Sequence, residues 1–283
     1  MDLSRKALSL YAHIRAPKRL SALLPIQHLL TPTGNKLDMK PLEGQTALIT
    51  GAVRRIGRAT ALELSQLGAA VVINARSSRD EAEAVQQEIQ AAGGRAMVAM
   101  GDIRDEAFVQ EMMDKTISTF GSLNILVNNA SIRADSPFLS LSLTEWREVT
   151  SIILDGAFLC AKLALPHMLQ AGAGRIVNVG GVSAHLGAAN RAHVITAKAG
   201  IVGLTRALAF EFTPQGVTVN CVVPGKIGGK RSATSGKGID ASPLTPTEGE
   251  VEDVAKMISH LCLPASRYVT GQSIHVSGGM FMP

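Results

Sequence analysis

The run TGAVRRIGRA, residues 50–59, lies between a short apolar stretch, TALIT, and a stretch with helical periodicity. A glycine turn in that setting aims the unpaired N–H groups and the dipole of a helix N-terminus at an anion, and a diphosphate fits such a cradle. Gly51 allows the turn, and Gly57 lets the helix pack closely on the strand. Arg54, Arg55 and Ile56 fill the turn; the Arg55 guanidinium either reaches phosphate oxygens or stays solvated on the first helical turn. A second basic segment, NARSSR at 74–79, follows the apolar AVVIN. Arg76, with Ser77 beside it, could grip a ribose 2′-phosphate in bidentate fashion, where a carboxylate would repel it. The competing reading pairs Arg76 and Arg79 only with Asp80 and Glu81. Together the two segments suit a phosphorylated dinucleotide, NADP(H).

The elements that must hold these residues alternate. Apolar strands are expected at 46–50, 70–74, 95–100, 123–130, 175–181, 217–223 and 273–279. Amphipathic or apolar helices fall between them, the longest over 142–172 and 192–212. Apolar strands separated by helices of this length imply a parallel sheet covered on both faces. The expectation is an α/β chain with one doubly wound, Rossmann-type domain over residues 44–283.

Composition agrees with one globular core: 283 residues, 46% hydrophobic and 18% charged. The net charge of +5 suits anionic ligands, and no Lys/Arg block interleaves with aromatics, so no nucleic-acid partner is expected. Cys160, Cys221 and Cys262 show no metal-ligand spacing, and no metal is expected. No apolar run is read as reaching the length of a bilayer span, so no membrane partner is expected. Residues 1–43 form a basic extension, with Arg5, Lys6, Arg15, Lys18 and Arg19 against the single acid Asp2 in its first thirty residues. It is either an arm packing on the body or a partner subunit, or an organelle-targeting segment; the first implies a cytoplasmic protein, the second an organellar one.

In combination these motifs resemble the short-chain dehydrogenase/reductase family over about residues 44–281. Thr50, Gly51 and Gly57 match its T-G-x-x-x-G-x-G fingerprint, and Arg55 in place of the middle glycine is similar to pteridine reductases. The resemblance implies a cofactor role for Asp102 and Ile103 in GDI, and for Asn128 and Ala130 in NNAS. It implies the same for Pro224, Gly225 and Ile227 in VVPGKI, where Gly229 replaces the usual threonine.

The family works with Asn, Ser, Tyr and Lys. Lys198 in AKAG matches the lysine, which binds the nicotinamide ribose and lowers the tyrosine's pKa. The tyrosine position is Val194, the serine position Gly181 and the asparagine position Ile153. A phenol with its pKa near 10 needs that cation to act near neutrality, and here there is no phenol to tune. The candidate catalytic residues are therefore Lys198, Ser183, placed on the same side as Gly181 if the segment is extended, and His193, whose imidazole titrates near 6.5. His185, Thr196 and Asp155 lie close by in sequence. The phrase WREVTSIILDGAF is similar to the dienoyl-CoA reductase branch, which also lacks the tyrosine and reduces a conjugated C=C bond.

The expectation is an NADP(H)-dependent reductase with an atypical site, acting on a carbonyl, an imine or a conjugated C=C, with an acyl thioester among the candidate substrates. The alternative is a catalytically silent NADP(H)-binding subunit. The loop 225–249 either closes over substrate, presenting Lys226, Lys230, Arg231 and Lys237 to an anionic tail, or is solvated. The long helices, with Leu159, Leu163, Leu204 and Leu208, permit a homotetramer or homodimer, or turn those faces to their own sheet.

Overall fold

The computed structural model describes residues 40–229 and 241–283. Most of the basic extension, with Tyr11, and the loop residues Lys230, Arg231 and Lys237 lie outside the described residues.

Seven parallel strands form one sheet in the order β3-β2-β1-β4-β5-β6-β7. They are β1 (Thr46–Ile49), β2 (Ala70–Ala75), β3 (Ala96–Met100), β4 (Ile125–Asn128), β5 (Gly174–Val179), β6 (Val217–Pro224) and β7 (Ser273–Val276). The chain builds outward from β1 in one direction and then, from β4, in the other. That reversal leaves a crevice at the carboxyl ends of β1 and β4, the place where open α/β sheets bind ligands.

Side chains alternate across the sheet, so each strand feeds two cores. Ala47, Ile49, Val71, Ile73, Ile125 and Val127 face α1 (Arg55–Gln66), α2 (Arg79–Ala91) and α8 (Val251–Cys262). Leu48, Val72 and Leu126 face α3 (Glu106–Phe120) and α5 (Gly156–Gln170). Leu42, on the arm side of the expected 43/44 boundary, is fully buried in the first core. All three cysteines are buried, and burial pushes the Cys160 and Cys262 thiols up to about 12 and Cys221 to about 11.

The helix expected over 142–172 is three pieces: α4 (Leu143–Thr150), a π turn (Ser151–Asp155) and α5. Ser142 starts it with a capping box, its hydroxyl accepting from the Glu145 N–H and its own N–H donating to the Glu145 carboxylate. The run Leu143–Gln170 is, against expectation, long and apolar enough to cross a membrane by length and composition. More than half of its apolar window is buried inside the fold, as in the core helix of a globular domain.

Ser183 is not on an extended segment. It opens a one-turn helix, α6 (Ser183–Leu186), before α7 (Ala192–Phe212). Of the two readings for Leu159, subunit face or core, the structure has the core: it packs into the second cluster, and the large exposed side chains on α5 and α7 are Phe158 and Phe210.

Candidate functional site

The glycine turn after β1 is built for close approach. Gly51 has φ +63°, a left-handed backbone that favours glycine. A Cβ on Gly57 would lie 2.2 Å from the Gly51 carbonyl oxygen, so the first turn of α1 packs where no other residue fits. The turn is clamped to β4 from below. Asn129 Nδ2 donates to the carbonyls of Thr50 and Gly51 at 2.9 Å, while Thr50 Oγ1 accepts from the N–H groups of Asn129 and Ala130 at 3.0 Å. Asn129 escaped the sequence reading, although its place beside Asn128, opposite Thr50, was the available signal.

The two arginines of the turn have protein partners. Arg54 forks onto the Glu81 carboxylate. Arg55 has φ +49° and donates from Nη2 to the carbonyl oxygens of Ile227 and Gly228 at 3.1 and 3.0 Å. It thereby ties the start of α1 to the loop after β6, neither meeting solvent alone nor pointing freely outward. Ile56 and Gly57 are buried at the base of the turn.

At the end of β2, Ala75 is buried and carries no charge, and Arg76 is half-exposed. Arg76 lies 3.9 Å from Asp102 and 3.6 Å from Glu148, and Arg79 pairs with Glu83; neither makes the expected contact with Asp80 or Glu81. Arg104 forks onto Asp102, from Nε at 3.0 Å and Nη2 at 2.6 Å, and holds its carboxyl below the usual range. The Ile103 side chain is core, packed so tightly on Gly156 that a Cβ there would come within 2.5 Å, and it lines a small void with Asn128 and Lys198.

From the turn, a cleft of about 770 Å³ runs along the carboxyl ends of β1, β4, β5 and β6. It brings together Gly51, Arg54, Arg55, Ile56, Ala130, Ser183, Lys198, Pro224, Gly225 and Ile227 of the expected set. It does not reach Arg76, Ser77, Asp102 or Ile103, which flank it beyond β2 and β3. Its walls also carry Arg133 and Arg191, which sequence reasoning missed. Arg191 is buried and donates from Nε to Asp135 at 2.6 Å, stapling the loop after β4 to the start of α7.

Lys198 projects from α7 to the cleft floor, where Nζ donates to the Val179 carbonyl at 2.6 Å. Burial brings its pKa down to about 8, and the Arg133 charge acts in the same direction. Asn128 sits below it. Its Nδ2 donates to Asn178 Oδ1 at 2.9 Å, and Asn178 Nδ2 donates to Thr205 Oγ1 at 2.9 Å, tying β4, β5 and α7 together. Asn128 Oδ1 is buried with no partner.

Val194 lines the cleft, and a Cβ on Gly181 would stand 3.9 Å from both Lys198 Cγ and Ser183 Oγ. Ser183 is therefore close to Lys198 although its backbone is helical. Ile153, in the π turn, lines a narrow void with Asn128 and Lys198. His193 is the expected residue that the fold withholds. Its ring is fully buried, neither nitrogen has a partner, and it is absent from the cleft wall. His185 instead packs edge-on against His275, with ring centroids 4.6 Å apart.

A family model described as enoyl-(acyl carrier protein) reductase matches residues 51–281. The chain is 37% identical over 242 residues to 3-oxoacyl-[acyl-carrier-protein] reductase FabG of Staphylococcus aureus strain Mu50, covering 84% of this chain and 98% of that one. It is 38% identical over 250 residues to 3-oxoacyl-[acyl-carrier-protein] reductase of Synechocystis sp., covering 86% and 100%. With the parallel sheet, the glycine turn at its switch point and the lysine at the cleft floor, these matches place the chain in the short-chain dehydrogenase/reductase family.

Proposed function

We propose that this protein is an NADP(H)-dependent oxidoreductase with an atypical active site, which reduces a carbonyl or conjugated C=C bond of an acyl-type substrate. The observation that carries the reading is the continuous cleft from the Gly51 turn to the buried ammonium of Lys198. The donor set fits the cofactor: Gly51 and Gly57 leave backbone room for a diphosphate, and Arg76 stands past β2 where no acid terminates the strand. A 2′-phosphate would take Arg76 from Glu148. When bound, NADPH supplies a hydride. The relatives' names, which specify 3-oxoacyl groups on a carrier protein, support an acyl-type substrate.

With Val194 and Gly181 at the tyrosine and serine positions, the chain's own groups divide the work differently. Lys198 holds a dissociable proton at Nζ beside the space over Gly181. Ser183 offers its hydroxyl to a substrate oxygen. The proton passes from Nζ to the reduced substrate, and water reprotonates the amine. Exposed Phe158 and Phe210 on α5 and α7 support a homodimer or homotetramer through those faces.

One observation favours a second reading, a silent NADP(H)-binding subunit: Val194 and Gly181 give the cleft floor no acid of their own. Screening the protein with NADPH against ketones, enones and enoyl thioesters separates the two. The enzyme reading expects turnover that Lys198→Met abolishes and Ser183→Ala lowers about tenfold or more, as loss of an oriented hydrogen bond to developing charge does. NADPH binding without turnover on any substrate would establish the silent subunit instead.

A further inference from the structure

Lys198 is the one lysine buried among the described residues, and it lines the cleft. The acceptor it meets is neutral, the Val179 carbonyl oxygen at 2.6 Å from Nζ. No Asp or Glu lines the cleft among the described residues, and Val194 puts no acidic group one helical turn away. A buried ammonium without an anion is costly, so burial favours the neutral amine. Burial is the main cause that brings the Lys198 pKa down to about 8. At pH 7 about one such amine in ten is neutral, against roughly one in a few thousand for a solvated lysine titrating near 10.4.

A neutral primary amine is a nucleophile, and lysines desolvated in this way attack carbonyl carbons. The floor beside this one has room for a reactant. A Cβ added to Gly181 would meet only Lys198 Cγ and Ser183 Oγ, each at 3.9 Å, so the space between the two side chains admits a small group. Ser183 is itself buried, and its hydroxyl can donate to an oxygen placed there. The cleft wall thus holds an amine, an open approach and a donor for a carbonyl oxygen.

We infer that Lys198 is a nucleophile that captures a small aldehyde as an imine on the open floor beside Gly181 and Ser183. Nζ forms a bond to the carbonyl carbon, and one amine proton moves to the carbonyl oxygen to give a carbinolamine. The C–O bond then breaks, and the oxygen leaves as water with the second amine proton. Nothing is oxidised or reduced, and water reverses the step. The capture goes beyond the reductase reading and does not rest on it, since it uses only the amine and the empty floor.

The test is reductive trapping on the full chain without added nucleotide. The protein is incubated with butanal and cyanoborohydride, which fixes an imine as a stable secondary amine. Peptide mass spectrometry then compares alkylation at Lys198 with that at the exposed Lys115 and Lys256 of the same sample. At pH 7, Lys198 is expected to react at least about tenfold faster than either, because far more of its amine is neutral. Its lead is expected to shrink about tenfold between pH 7 and pH 9, as the solvated lysines gain neutral amine and Lys198 has little more to gain. Alkylation at Lys198 no faster than at the exposed lysines, or a lead that does not shrink with rising pH, would overturn the inference. Either failure would leave the nucleotide reading standing, since that is measured separately by NADPH binding.

Discussion

Arg55 shows how one substitution in a glycine turn is accommodated. Its φ of +49° is the conformation a glycine adopts without cost, and an L side chain there loses about 1–2 kcal/mol. Its guanidinium offsets that loss by bonding two carbonyls after β6. The partner loop leaves room for it: Gly229 has φ +91°, a conformation unsuited to a threonine, and the site of its missing Cβ lies 3.4 Å from Arg55 Nη1. This predicts an inverted order of stability. Arg55→Ala keeps the backbone penalty and loses the bonds, whereas Arg55→Gly loses the bonds and the penalty together. Urea denaturation should place Gly above Ala, with about 1 kcal/mol between the variants. Ala above Gly, as ordinary helix propensity would have it, contradicts the account. Thr50, Gly51 and Gly57 were legible because the turn permits few alternatives. Asn129, Arg133 and Arg191 were not, because they act from loops without period.

At the scale of elements, the strands and most helices follow from apolar runs and their spacing. The π turn at Ser151–Asp155 does not, since the apolar pattern of residues 142–172 reads as one unbroken helix. It puts Ile153 beside Asn128 and Lys198, and such turns recur at functional sites. The helical start of α6 was hidden likewise, four residues being too few to show a period. On α7, burial decides the role of His193. Burial is the main cause that lowers its pKa; Glu145 and Asp135 oppose it and Arg191 adds to it. The folded protein thus resists a proton that the unfolded chain accepts, so stability is complete above about pH 6.5 and falls as the pH drops below it. His185 and His275 shift the same way, chiefly by burial. His193→Leu should therefore lose less of its urea midpoint between pH 7.5 and 5.0 than wild type does. An identical loss would show that His193 does not contribute.

For the whole molecule, the doubly wound architecture was legible in the alternation of strands and helices, while the strand order was not. Periodicity shows which face of a strand is buried but not which strand lies beside it. The reversal between β1 and β4 makes the crevice, and every candidate residue on the cleft wall lies at the carboxyl end of a strand or on a segment entering there. The electrostatic character also belongs to this scale, since a chain of net charge +5 concentrates cations along one cleft.

The most direct measurement is a fluorescence titration of the protein with NADPH and with NADH, repeated on Arg76→Ala. The account predicts that NADPH binds at least about tenfold more tightly than NADH, and that Arg76→Ala removes most of this margin without weakening NADH, as expected for one charged contact to the extra phosphate. No association with either nucleotide, or tighter binding of NADH, would contradict it.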